Sequence, residues 1–294
     1  MPDRFQDLGY QVTVGGLALY GDVDADGVAW GVPADVEGWD DSAGTTLQTT
    51  NRAWGAGTFS NTPFDTGKDY TVTGQFSYPD VAAYHEACAK LKQAVSAGRH
   101  VLRVNDHGVD LQATVKRSGS ITFKRKHPNW CLFSFQEHAD SPYRYRADGL
   151  ETGSTGLPYT QGGMTFPYEF ETDTTESEWV FAETVVSGSI TLVNDGSAPS
   201  PPLIRIDGPV TNPSVEHVNT GRILSAAVTL GAGHWIEFDT ATRQVLIDGS
   251  DPRQADVTRR EWSDAQPGVN TWNFSADDGE TSAKRTVTFR EAWL

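Results

Sequence analysis

The stretch 198-APSPPLIRIDGPVTNPSV-215 sets a short strand-forming centre, Leu203 to Asp207, between two proline-rich flanks. An interdomain linker would be polar from end to end, whereas Leu203, Ile204 and Ile206 need somewhere to be buried. Proline has no N–H to give to a ladder, so the prolines mark edges and turns around a strand inside a domain. Strand patterns lie on both sides of it. Ser189 to Val193 precedes it, and Ile223 to Leu230, the hairpin 234-HWIEFDTATRQVLIDG-249 and Arg285 to Trp293 follow.

The first half of the chain has the same character. In 70-YTVTGQFSY-78, Tyr70, Val72, Phe76 and Tyr78 share one face and Thr71, Thr73, Gln75 and Ser77 the other, the period of a half-buried strand. Tyr10 to Val14, Val28 to Val32, Val109 to Val115 and Ile121 to Phe123 alternate likewise, as do Cys131, Phe133 and Phe135 in 130-WCLFSFQEHADSPYRYR-146. One helix, about residues 79–97, is predicted from Val81, Tyr84, Cys88, Leu91 and Val95 at helical spacing. Ser77 and Asp80 are spaced as a capping box, Pro79 falls in the first turn and Gly98 ends the run.

The stretch 147-ADGLETGSTGLPYTQGG-163 is rich in Gly, Ser and Thr and reads as a linker. The expected organisation is therefore a β-rich domain over 1–147 with one packed helix, a linker over 148–164 and a second β domain over 165–294. The fold class is mainly β, with two sandwich-like domains.

At 37% hydrophobic and 11% aromatic residues, the 294-residue chain can fill real cores. No run approaches the ~18 apolar residues of a membrane helix, and Met1 to Tyr10 lacks signal-peptide features, so a soluble chain used without export is expected. Cys88 and Cys131, the two cysteines present, suit buried reduced thiols better than a disulfide framework or a thiolate zinc site. The net charge of −16 is uneven: residues 1–150 hold 14 basic and 18 acidic side chains, residues 151–294 hold 9 and 21. Such a surface repels phosphates and argues against a conventional nucleic-acid binder, though it suits a wall past which DNA slides.

Motifs for chemistry are incomplete. The run 22-DVDADG-27 copies half a calcium loop, but the position that needs a bidentate Glu is Pro33, so a hairpin turn is expected, with an incidental cation contact as the alternative. In 85-HEACAK-90 the second zinc-ligand position is Ala89, and the seven histidines are scattered. No nucleophile elbow, P-loop or dinucleotide fingerprint occurs. The five acids of 169-EFETDTTESEW-179 read as a solvated strand and loop. No catalytic, cofactor or metal residue is assigned. The basic run Lys124, Arg125, Lys126 is either a solvated hairpin tip or a contact with an acidic neighbour in an assembly. Trp179, Trp235, Trp262 and Trp272 are candidates for stacking on sugars, against the commoner reading as core.

Taken together, these segments resemble the distal tail proteins of long-tailed bacteriophages. The likeness is most specific in 187-SGSITLVNDGSAPSPPLIRIDGPVTNPSV-215 followed by 230-LGAGHWIEFDTATRQVLIDG-249: a strand, an N-x-G turn, a proline-framed I-R-I-x-G strand, then a hairpin ending in V-x-x-D-G. The first half agrees by order of elements, with 27-GVAWGVPADVEGW-39, one helix and a close at 139-ADSPYRYR-146. The resemblance implies a ring-forming N-terminal domain, typically in six copies, and a galectin-like C-terminal sandwich. It further implies a virion protein of the tail tip, assembled in the host cytoplasm. Its partners would be the tail tube protein, the tape measure protein and tail-tip or receptor-binding proteins, with no enzymatic role and no membrane insertion. The alternative function is a carbohydrate-binding module that contacts the host wall.

Overall fold

Along Lys68–Ser77 every second residue, Lys68, Tyr70, Val72, Gly74 and Phe76, is buried, because successive side chains of a strand leave opposite faces. This strand is central to an antiparallel sheet whose order runs Leu17–Ala18, Tyr10–Val14, His100–Asp106, Val109–Arg117, Trp130–Ala139, Lys68–Ser77, Ala29–Gly31. The computed structural model describes residues 9–21, 23–32, 35–127, 129–161, 165–166, 179–180, 184–186, 188–279 and 282–294, and for 127, 159–161, 165–166, 179–180 and 184–186 the backbone alone. Two compact units result, residues 1–149 with 292–294, and residues 150–291.

In the first unit the strand Trp130–Ala139 changes partner along its length. Its far end pairs with Val109–Arg117, while its first half pairs with Thr122–His127. Trp30, Phe76, Phe133 and Phe135 pack ring against ring on the inner face. At Gly74 a Cβ would stand 2.3 Å from Phe133 Cζ and 2.9 Å from the Gly31 carbonyl oxygen, so the ladder closes there as a glycine alone permits.

The helix spans Val81–Ala94, and Ala83, Ala87, Cys88 and Leu91 are its buried residues. Two expectations for it change. Ser77 is held in the ladder opposite Trp130 and Ala29, so no capping box forms; Asp80 itself is the N-cap and accepts from the Ala83 N–H at 2.9 Å. Val81 lies off the buried stripe and is 58% exposed.

Between Gly44 and Thr66 the chain leaves the sheet as a two-stranded ribbon, with Thr45–Thr46 paired to Phe64–Asp65 and Thr49–Asn51 to Thr58–Ser60. Its root is fixed by Lys68, whose buried ammonium donates to the carbonyl oxygens of Trp39 at 3.1 Å and Asp41 at 2.6 Å. Arg144, also buried, donates to Asp40 at 2.7 Å.

The second unit is a sandwich. One sheet orders Glu151–Gly156, Lys284–Phe289, Leu203–Asp207, Trp235–Asp239, Gln244–Ile247 and Asp251–Pro252; the other orders Ser189–Asn194, Gly268–Ser275, Ser214–His217, Arg222–Ala226 and Val257–Arg260. Ile204, Ile206, Ile236, Phe238, Val287 and Phe289 from the first meet Ile190, Val215, Leu224, Trp272 and Phe274 from the second in one core. The proline-framed strand Leu203–Asp207 is central, paired on both sides, with its prolines outside the ladder.

Both expected boundaries of this unit move. Residues 151–156, expected in the linker, form a six-residue pairing with Lys284–Phe289. At Gly153 the missing side chain is a packing requirement, since a Cβ there would stand 2.6 Å from Ile190 Cγ2. At the other end, the expected single strand Arg285 to Trp293 divides. Lys284–Phe289 stays in the sandwich, while Ala292–Trp293 pairs with Arg144–Arg146 and residues 292–294 belong to the first unit. Ala292 is wholly buried, and the Arg146 guanidinium lies 5.4 Å from the Trp293 ring centroid. Ile223 to Leu230 likewise divides, into Arg222–Ala226 in the five-stranded sheet and Thr229–Leu230 paired with Val210–Thr211.

Candidate assembly site

The basic run is not a hairpin tip. Lys124, Arg125 and Lys126 lie within Thr122–His127, whose register with Trp130–Ala139 shifts between Arg125 and His127. Alternation turns Phe123 and Arg125 toward the helix, where the Arg125 guanidinium sits 3.7 Å from the Tyr84 ring centroid and the Lys92 ammonium 5.7 Å from that of Phe123. Lys124 and Lys126 face the other way and are exposed. The run therefore splits into one cation engaged in packing and two that present positive charge on a strand, a pattern that discourages indiscriminate strand pairing.

The four tryptophans do not form one stacking platform. Trp272 is wholly buried: along Gly268–Ser275 the inward phase falls on Asn270, Trp272 and Phe274, and its ring stacks on His217 at 5.0 Å. Trp235 is half-buried with the Arg205 guanidinium 4.2 Å from its ring centroid, and its Nε1 donates to Glu237 at 2.9 Å. Trp262 packs against the sandwich core. Trp179 lies in Trp179–Val180, where the side chain is outside the described residues, as is the acidic stretch 167–178.

The calcium-like turn already holds a cation of its own. Asp24 Oδ1 accepts from the N–H groups of Asp26 at 3.0 Å and Val28 at 2.9 Å, and the Lys90 ammonium from the helix pairs with Asp26 and, at 3.5 Å, with Asp24. Asp22 and Pro33 are outside the described residues. Among the described residues no group of three or more His, Cys, Asp or Glu is placed to hold a metal ion. Cys88 and Cys131 are buried free thiols, and burial pushes the pKa of both up. No helix among the described residues is long and apolar enough to cross a membrane.

Buried charge escaped the reading of the sequence. Lys68, Glu137 and Arg285 all sit on inward faces of strands. Each stands at the buried phase of an alternating run, and that phase is the signal that could have found them.

Residues 195–293 match the SPP1 Dit family, described as siphovirus-type tail component, C-terminal domain. No curated protein matches the sequence. Among solved structures, the crystal structure of SPP1 Dit, described as a paradigm of the hub adsorption apparatus in phages that infect Gram-positive bacteria, is similar over 97% of this chain and 99% of that one, with a TM-score of 0.64 and 10% identity. The baseplate of phage P2 in its activated conformation with Ca is similar over 95% and 97%, with a TM-score of 0.47 and 11% identity. The chain thus has the fold of SPP1 Dit, a distal tail protein, over nearly its whole length, and its residues 195–293 are similar to a siphovirus tail component domain.

Proposed function

We propose that this chain is the hub of a phage tail tip: a homo-oligomeric ring, of six copies, that joins the tail tube to baseplate or receptor-binding proteins and lets DNA pass through its opening. The observation that carries this reading is the likeness to a protein described as a hub, which extends through both units and not only the domain that the family covers. The charge of the chain is consistent with it. A copy with a net charge of −16 offers DNA no net attraction. The neighbours in the particle would be the tail tube protein, the tape measure protein and the tail-tip or receptor-binding proteins, with assembly in the host cytoplasm. Catalysis forms no part of the proposal.

Glycan binding by the C-terminal sandwich is the weaker reading, since Trp272 is core and Trp235 is covered on one face by Arg205. Electron micrographs of the purified protein and of particles labelled with an antibody to it test the hub reading. Rings and label at the tail tip are expected; label elsewhere on the particle refutes the reading.

A further inference from the structure

We propose that the outer face of the first unit's sheet holds a subsite for one neutral sugar ring, in a cleft lined by Gln11, Thr13, Tyr20, Arg103, Asn105 and Asp110. The cleft lies in the first unit, whereas the tryptophans considered for sugar stacking lie in the second. Its occupant is independent of ring formation.

Strand alternation builds the cleft. Val12 and Val14, Leu102 and Val104, and Leu111 are buried in the core, so Gln11 and Thr13, Arg103 and Asn105, and Asp110 emerge on the opposite face. In the ladder Gln11 stands opposite Asn105, and Asn105 opposite Asp110. In the next outward row Thr13 stands opposite Arg103, and Arg103 opposite Gln112. Two such rows on three neighbouring strands cover a patch of about 7 by 10 Å. Tyr20, just beyond Leu17–Ala18, completes the lining of a cleft of about 120 Å³, which is room for about four waters.

Charge inside the cleft is already cancelled. Arg103 Nε donates to Asp110 Oδ1 at 2.8 Å, and its Nη2 donates to Asp110 Oδ2 and, at 2.8 Å, to Asp148 Oδ1. The guanidinium therefore has its carboxylates, and both oxygens of Asp110 are taken, so the cleft calls for neither an anion nor a cation. What remains is neutral and two-sided. The Gln11 amide and the Thr13 and Tyr20 hydroxyls have no partner among the described residues, and each of them can both donate and accept. Asn105 uses its Oδ1 for the Gly108 N–H at 3.0 Å and keeps its amino donors. Sugar hydroxyls need this mixture, because each of them also donates and accepts. The Tyr20 ring supplies apolar surface for the C–H groups of the same ligand. A peptide strand cannot add here, since the main chain of His100–Asp106 is paired on both sides, with Tyr10–Val14 and Val109–Arg117. The ladder holds these groups in place before any ligand arrives, which lowers the cost of ordering them.

The test is saturation-transfer NMR on the full chain with glucose, galactose, rhamnose and N-acetylglucosamine in turn. At least one is expected to bind with a Kd on the order of 1 to 10 mM, the strength of a few neutral hydrogen bonds made in competition with water. Gln11→Ala with Thr13→Ala removes two outward side chains and should weaken that binding about tenfold, while Trp235→Ala in the sandwich leaves it unchanged. An unchanged melting temperature shows that the double variant is folded; if it falls, Tyr20→Phe, which removes one hydroxyl alone, takes its place and should weaken binding as well. No transfer to any of the four sugars overturns the subsite. Binding that survives the folded variant overturns it too, and so does binding that disappears with Trp235→Ala, which would put the sugar on the sandwich. None of these outcomes touches ring formation, so the hub reading is decided separately.

Discussion

His100 Nε2 lies 2.7 Å from Glu137 Oε1 while its Nδ1 faces the Gly98 carbonyl oxygen at 3.0 Å. A carbonyl can only accept, so Nδ1 carries a proton, and the second contact holds one more proton between imidazole and carboxylate. Glu137 is wholly buried, with Oε2 unpaired among the described residues. Burial raises its pKa above the ordinary 4.5, and His100 draws it part-way back. Tyr70 and Arg117 stand opposite it in the two neighbouring strands.

Between 4.5 and the raised folded value, the native state keeps this proton longer than the unfolded chain does. The contribution of Glu137 to stability therefore falls as pH rises through that interval. Glu137→Gln keeps the hydrogen-bonding shape and removes the titration. Its melting temperature relative to the wild type should rise across the interval and level off above it. Thermal melts from about pH 4 to 8 check this; a difference that does not change with pH would sink the assignment.

Arg285 presents a different buried charge. Its Nη2 donates to the Trp272 carbonyl at 2.8 Å, Nε and Nη1 have no partner among the described residues, and burial pushes its pKa well below the ordinary guanidinium range. No carboxylate among the described residues offsets the desolvation. Arg285→Met keeps the stem that packs near Phe274 and should stabilise the sandwich by about 1 to 4 kcal/mol. Denaturant unfolding measures it, and a loss of more than about 1 kcal/mol would show that the guanidinium supports the core.

The Lys90 ammonium occupies the place that a cation would take between Asp24 and Asp26. These side chains are about one third exposed, so solvent screens the pair. Lys90→Met should cost no more than about 1 kcal/mol. Millimolar calcium should leave the melting temperature of the wild type unchanged; a clear rise would mean that the turn binds the ion despite Lys90.

Strand phase was legible in the sequence wherever both faces of a strand differ, as in 70-YTVTGQFSY-78 and for Ile204 and Ile206 in 203-LIRID-207, but Leu203, expected to be buried with them, falls on the opposite face from its neighbour Ile204 and is 41% exposed. It failed where small residues serve packing. Gly153 reads as linker by composition and is in fact the surface on which Ile190 rests. It failed again at Ala292 and Trp293, because pairing with Arg144–Arg146 spans some 150 residues of sequence and leaves no local trace. The basic run was visible as charge, but its division between packing and solvent depends on the strand alternation and on Tyr84, neither of which the run itself displays.

That division separates two mutations that composition alone would treat alike. Arg125→Ala removes the contact with Tyr84 and should lower the stability of the first unit by about 0.5 to 1 kcal/mol, with little dependence on what the chain assembles with. Lys124→Glu with Lys126→Glu changes two exposed charges and should leave each subunit as stable as before, since solvated charges rarely decide stability. If these lysines meet acidic surface on an adjacent copy or tail protein, the double reversal weakens assembly, and added salt imitates it, because rim contacts are screened within about 8 to 10 Å. Sizing by light scattering at low and high salt reads both effects together. A double variant that assembles like the wild type at either ionic strength would leave the two lysines as guards of a strand edge, and the proposed ring would then depend on apolar and main-chain contacts.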